Sequence, residues 1–113
     1  MATASVEIGG IDFMHYSGSS INGACLYQEA LAISGTPAMM TNAVTAAQVT
    51  ACKNACIARV AVDTDAYVAK GTEPDPDATT STDATTARRL VSAGSAIELA
   101  IGAGEKIAVK GLS

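Results

Sequence analysis

The chain has no tryptophan, and its aromatic residues are only Phe13, Tyr16, Tyr27 and Tyr67, 4% of the sequence. A core without large rings gains little from each side chain, at about 25 cal/mol per Å² of apolar surface removed from water. It also leaves few rings on which a sugar could stack. Residues 1–52 contain no lysine or arginine and three acids, Glu7, Asp12 and Glu29. The rest holds all seven basic residues against eight acids, within a formal net charge of −4. Nucleic-acid binding needs a basic footprint that displaces counterions, and the sequence offers none. The adjacent pair Arg88-Arg89 is read as edge charges flanking a strand.

Histidine occurs once, at position 15, and cysteine three times, at positions 25, 52 and 56. Three thiols cannot all pair within one chain, and Met1–Glu7 lacks the basic and apolar regions of a secretory signal. The expectation is intracellular synthesis with reduced thiols acting as small buried hydrophobes. A Cys₃His zinc set would want a CxxC knuckle, whereas Lys53-Asn-Ala55 separates Cys52 from Cys56. Residues 30–52 carry no charge, but Ser34, Gly35, Thr36, Pro37, Asn42 and Gln48 are too polar for hydrocarbon, so no membrane span is expected.

What the chain does have is alanine, threonine, serine, glycine and short apolar runs cut by turns. At 113 residues it is one domain, of a size that buries roughly two-thirds of its unfolded surface. In the second half, Ile57–Val62, Ala66–Lys70, Arg89–Ser92, Ala96–Ile101 and Lys106–Lys110 read as strands. In the first half, Thr3–Ile8 alternates weakly up to Gly9-Gly10, and Ile11–Tyr16 is a second extended candidate ended by Ser17-Gly-Ser-Ser20. Residues 1–20 read as an N-terminal arm or edge strand, with the sandwich domain at 21–113. Asn22–Ser34 predicts one long strand or two, Gly35-Thr-Pro37 a turn, and Ala38–Thr41 a short strand. Thr45-Ala-Ala-Gln48 fits a capping box, and Val49, Cys52 and Cys56 would share a helical face, although Val49 and Thr50 suit a strand equally. The expected fold is all-β, a small β-sandwich or jelly roll with an extended N-terminal segment and at most one short helix.

Chemistry-bearing patterns are sparse. Glu73, Asp75, Asp77 and Asp83 lie in a Pro/Thr-rich stretch, 71–86, read as a solvated surface loop; it lacks the central glycine and closing glutamate of a calcium loop. Asp63 and Asp65 belong to what reads as a hairpin turn, bonding local backbone. His15 stands near Asp12 and Ser17 in a turn-rich segment ill-suited to holding a triad. Gly102-Ala-Gly104 precedes a strand and reads as a turn. Tyr67 is expected to face the core. No catalytic, cofactor-binding or metal-ligating residue is assigned, no cofactor is implied, and the chain is expected not to be an enzyme. A lightly filled core of this kind suggests a partner subunit.

The run Arg59–Gly71, the Pro/Asp/Thr loop, Leu90–Gly94, Ile97–Ile101 and Gly104–Val109 resembles small virion proteins of tailed bacteriophages. These are capsid decoration (cement) and head-fibre-base proteins of β-sandwich or jelly-roll form. The resemblance covers residues 57–113. It implies a structural subunit, often a homotrimer, made in the host cytoplasm and placed on the outer capsid surface, where it clamps neighbouring major capsid proteins. Residues 1–20 could then pair with a shell protein's strand edge. A head–tail connector or tail component of the same virion, or a carbohydrate-binding jelly-roll module using Tyr16 or Tyr27, are the alternatives.

Overall fold

The strands place alternate residues on opposite faces, and the inward half of that alternation is what builds the molecule. In the computed structural model, which describes residues 2–10, 25–52 and 55–112, eight strands and one helix follow in the order β1 (Thr3–Gly10), β2 (Cys25–Ala32), β3 (Ala38–Met39), α1 (Ala46–Ala51), β4 (Cys56–Val62), β5 (Ala66–Gly71), β6 (Arg89–Val91), β7 (Ala96–Ala100) and β8 (Lys106–Gly111). They form two four-stranded antiparallel sheets, ordered β2-β1-β4-β7 and β3-β8-β5-β6. Ala4, Val6, Ile8, Ala58, Val60 and Val62 of the first sheet share one buried cluster with Ala66, Val68, Val91, Ile107 and Val109 of the second. The chain is therefore a β-sandwich, as its sequence leads one to expect. Val6, Ile8, Val60, Val68, Ile107 and Val109 are fully enclosed, each contributing about 1.5–3 kcal/mol by leaving water.

Residues 3–10, expected in an arm or edge strand, are instead interior. β1 pairs with β2 on one side (Ser5 opposite Ala30, Glu7 opposite Gln28) and with β4 on the other (Ser5 opposite Ala61, Glu7 opposite Arg59). The weak alternation of this segment conceals a fully buried inner face of Ala4, Val6 and Ile8. The extended candidate 11–16 and the turn 17–20 lie outside the described residues. Of the expected strand region Asn22–Ser34, the described residues form the single strand β2, of eight residues.

Strands β4 and β5 are consecutive but belong to different sheets, so residues 63–65 cross the sandwich and do not close a hairpin. The aspartates bond distant backbone: Thr3 N donates to Asp63 Oδ1 at 2.8 Å and Ala93 N to Asp65 Oδ1 at 2.8 Å. They tie the start of β1 and the β6–β7 turn to one corner. Sequence spacing shows only a short acidic turn, because its partners are 60 and 28 residues away.

Helix α1 forms with both halves of its capping box: Gln48 N donates to Thr45 Oγ1 at 3.1 Å, and Thr45 N to Gln48 Oε1 at 2.8 Å. It stops at Cys52, so Cys56 sits on β4 and not on the helical face shared by Val49 and Cys52. A Cβ at Gly10 would lie 2.8 Å from the Cys52 carbonyl oxygen, so the missing side chain lets the helix end approach β1. No helix among the described residues is long and apolar enough to cross a membrane.

The Pro/Asp/Thr stretch departs most from its sequence reading. Its acids do face solvent, but its backbone packs as a cover over the outer face of the second sheet. Pro74, Pro76 and Thr85 are buried beneath it, as are Ala69 and Ala108 of the strands. Thr86 N donates to Lys70 O at 2.8 Å, Lys70 N to Thr86 Oγ1 at 3.1 Å and Glu73 N to Ala84 O at 2.9 Å. Thr85 Oγ1 accepts from Asp75 N at 2.9 Å and donates to Thr86 O at 2.9 Å. Lys110 Nζ reaches Asp77 Oδ1 at 2.7 Å. Tyr67, registered opposite Lys110, is therefore on the outer face and not in the core; the Arg88 guanidinium lies 4.0 Å above its ring.

The cover can close only because Gly71 has no side chain, since a Cβ there would stand 2.0 Å from Ala84 O. Gly71→Ala is expected to lift the 72–88 cover and lower stability by about 1–3 kcal/mol. Its check is the urea midpoint together with hydrogen exchange at Thr86 N.

Candidate functional site

The two sheets differ on their outer sides. The second is roofed by 72–88. The first is uncovered among the described residues, and the register lays its outward residues out in rows. Ala30, Ser5, Ala61 and Ala96 form one row across β2, β1, β4 and β7; Gln28, Glu7, Arg59 and Glu98 form the next. Ser5, Gln28, Ala30, Ala32, Ala96, Glu98 and Ala100 are exposed. With strands spaced about 4.8 Å apart, the face is roughly 15 Å wide. Its side chains are short, and its charge row alternates in sign. Chemically this is a surface for close backbone-level approach, with Arg59 between Glu7 and Glu98 as the polar marker of register.

Among the described residues the outer strands of the first sheet are β2 and β7. Beside β2, Glu29 points from the inward side of the strand, opposite Val6. Its carboxylate accepts from Thr41 N at 2.9 Å, Thr41 Oγ1 at 2.8 Å and Tyr27 Oη at 2.5 Å. Burial pushes the Glu29 carboxyl up, but the bonds from Tyr27 and Thr41 and the nearby Lys106 charge outweigh it and hold the group below its ordinary value. The same bond to Glu29, with burial second, raises the Tyr27 phenol. Next to this network a cleft of about 360 Å³ is lined by Tyr27, Met40, Asn42, Thr45 and Gln48 among others. An inward-aimed charge on an edge strand also discourages indiscriminate edge pairing. Tyr27 is thus committed to an internal hydrogen bond, and Tyr16 lies outside the described residues.

The cysteines do not behave alike. Cys25 is exposed on β2, whereas Cys52 and Cys56 are buried and free. Burial pushes the Cys56 thiol up to about 12, helped by the neighbouring Cys52 sulfur. A thiol so protonated is a poor nucleophile and a poor metal ligand. Among the described residues no three His, Cys, Asp or Glu side chains converge as a metal site; Asp77 is taken by Lys110 and Asp75 Oδ1 by the Asp77 amide. His15, Asp12 and Ser17 lie outside the described residues. In comparisons with known proteins, no family model, no curated protein and no solved structure matches the chain.

Glu29 is ionised more readily folded than unfolded, so its contribution to stability is complete above its ordinary value of 4.5 and fades as the pH falls below it. Glu29→Gln is expected to cost about 1–2 kcal/mol at pH 7 and to flatten the acid limb of the stability profile, read from urea melts between pH 3 and pH 7. Cys56 has the opposite sign: a raised value favours the folded state fully below the ordinary 9.0, and this is lost as the pH climbs toward 12. A native alkylation experiment at pH 8 should therefore label Cys25 rapidly and Cys52 and Cys56 only on unfolding, with mass spectrometry locating the adducts.

Proposed function

We propose that this protein is a structural virion subunit of the capsid decoration type, which docks on the outside of a phage head and braces contacts between major capsid proteins. The observation that carries the reading is the unequal treatment of the two outer sheet faces. The chain spends a 17-residue segment, 72–88, to cover one face, while no other described residue covers the opposite face, which is clad largely in alanine and serine. Short side chains lose little conformational entropy on docking and allow close packing over a broad area. The register row Gln28–Glu7–Arg59–Glu98 supplies polar specificity across the same face.

The strand β2 offers a second contact, since among the described residues one side of its eight residues has no strand partner and can extend a neighbour's sheet through backbone hydrogen bonds. It takes over the edge-pairing role suggested for residues 1–20, because residues 3–10 already have partners on both sides. A homo-oligomer, with a trimer favoured, would place such faces around a local symmetry axis of the shell. A subunit of this kind performs no turnover and needs no cofactor.

Purified protein mixed with emptied heads of a tailed phage carrying its gene should sediment with them and raise their melting temperature, while light scattering of the protein alone reports the oligomer mass. Ala61→Arg and Ala96→Arg, both on the open face, should weaken head binding at least tenfold without moving the protein's own melting point. Wild-type protein that stays in the supernatant, or variants that bind as well as the parent, would overturn the proposal.

A further inference from the structure

The opening between the sheets on the β6–β7 side has a lining of one chemical kind. A cleft of about 280 Å³ there is bordered by Lys70, Ser81, Thr86, Arg88, Arg89 and Leu99, with Ala87 in the wall. Three of the chain's seven basic residues meet at this place, in a protein whose formal net charge is −4. The register explains the gathering. Lys70 lies on the same side of β5 as Ala66 and Val68, and Arg89 on the same side of β6 as Val91, so both point toward the gap between the sheets. Arg88 arrives from the 72–88 cover.

The hydrogen-bond inventory of this cleft is one-sided. Among the described residues no acceptor takes a hydrogen bond from the Arg88 or Arg89 guanidinium, and neither forms an ion pair. The Arg88 guanidinium stacks on Tyr67 at 4.0 Å, on the outer side of β5, and so stands at the rim of the cleft. Lys70 Nζ donates to Ala100 O and lies 3.5 Å from Glu105 Oε1, which leaves one of its three N–H groups unassigned. Thr86 Oγ1 accepts from Lys70 N at 3.1 Å and Ser81 Oγ accepts from Ala87 N at 2.9 Å. Ser81's hydroxyl proton is thereby free to donate into the cleft, as is that of Thr86. Every polar side chain of the lining can donate and none is a carboxylate; the nearest acid, Glu105, is held by Gly102 N at 2.7 Å.

We propose that this cleft is a binding site for a phosphate-type oxyanion, free or as the charged end of a small phosphorylated molecule. Arg89 supplies the fork-shaped donor that matches such an anion, Lys70 adds charge, Ser81 and Thr86 add hydroxyl donors, and Arg88, stacked on Tyr67 at the rim, adds positive potential. Leu99 closes one wall and lowers the local dielectric, which strengthens each contact. The site is local and concave, three cations wide, and does not amount to the long basic track that a nucleic acid requires. It is separate from the open sheet face, which lies on the other side of the first sheet.

The test titrates inorganic phosphate against sodium chloride at constant ionic strength and follows backbone amide shifts by NMR. Saturable shifts are expected at Lys70, Thr86 to Arg89 and Leu99, and not along β2. Ribose 5-phosphate serves as the second arm, and tighter binding than free phosphate identifies the organic phosphate as the ligand form. Arg89 is exposed at the start of an edge strand, so Arg89→Gln should keep the native spectrum elsewhere while weakening binding at least tenfold. Arg88→Gln, at the rim, should weaken binding by less than Arg89→Gln, and Lys106→Gln, outside the cleft, should leave affinity unchanged. Shifts that follow ionic strength alone, or that persist undiminished in Arg89→Gln, would overturn the assignment.

Discussion

The structure depends on how closely two sheets can approach when their facing side chains are valine, isoleucine and alanine. Val6, Ile8, Val60, Val68, Ile107 and Val109 share one buried cluster, and no aromatic residue is among the buried side chains of the described residues. Small branched side chains pack densely but tolerate little vacancy, since each lost methylene leaves a cavity the sheets are too constrained to refill. This requirement fixes the phase of every strand. Once the branched residues of β1, β4, β5 and β8 face inward, the alternate residues must face outward, and the character of both outer surfaces follows.

Those two surfaces then part ways. On β5 and β8 the outward residues include Ala69, Ala108 and Gly71, small enough for a chain segment to lie directly upon them, and 72–88 does so with backbone bonds to Lys70. On β1, β4 and β7 the outward residues are equally small but nothing among the described residues covers them. A face so prepared and left bare is the natural place for another protein to rest. The two lateral openings also differ in sign: Glu29 closes the β2 side through Thr41 and Tyr27, while Lys70, Arg88 and Arg89 gather at the β6–β7 side.

How much of this could be read beforehand varies with the element. β4 is plain, because Cys56, Ala58, Val60 and Val62 alternate with residues that are less buried. The cap of α1 is plain as well, being a local exchange between Thr45 and Gln48. β1 was harder: glycine at positions 9 and 10 and serine and glutamate on its outer face suggest a border strand, and only its two partners show it to be interior. Tyr67 looked like core by hydrophobicity, yet its phase on β5 puts it outside, under Arg88. The open face and the cationic cleft left no local signature, because their members come from four strands and from both ends of a long loop.

Sequence alone determined the class of the molecule: strand-forming alternation, punctuating turns and a supply of small apolar residues suffice to specify a sandwich, since these are properties of neighbours along the chain. Folding decided which sheet each strand joined, which face was roofed, and which charges came together, as with Asp63 reaching Thr3 or Arg88 reaching Tyr67. Such pairings rest on loop closure and on contact across many residues, and the energy that selects them is released only when both sheets are in place.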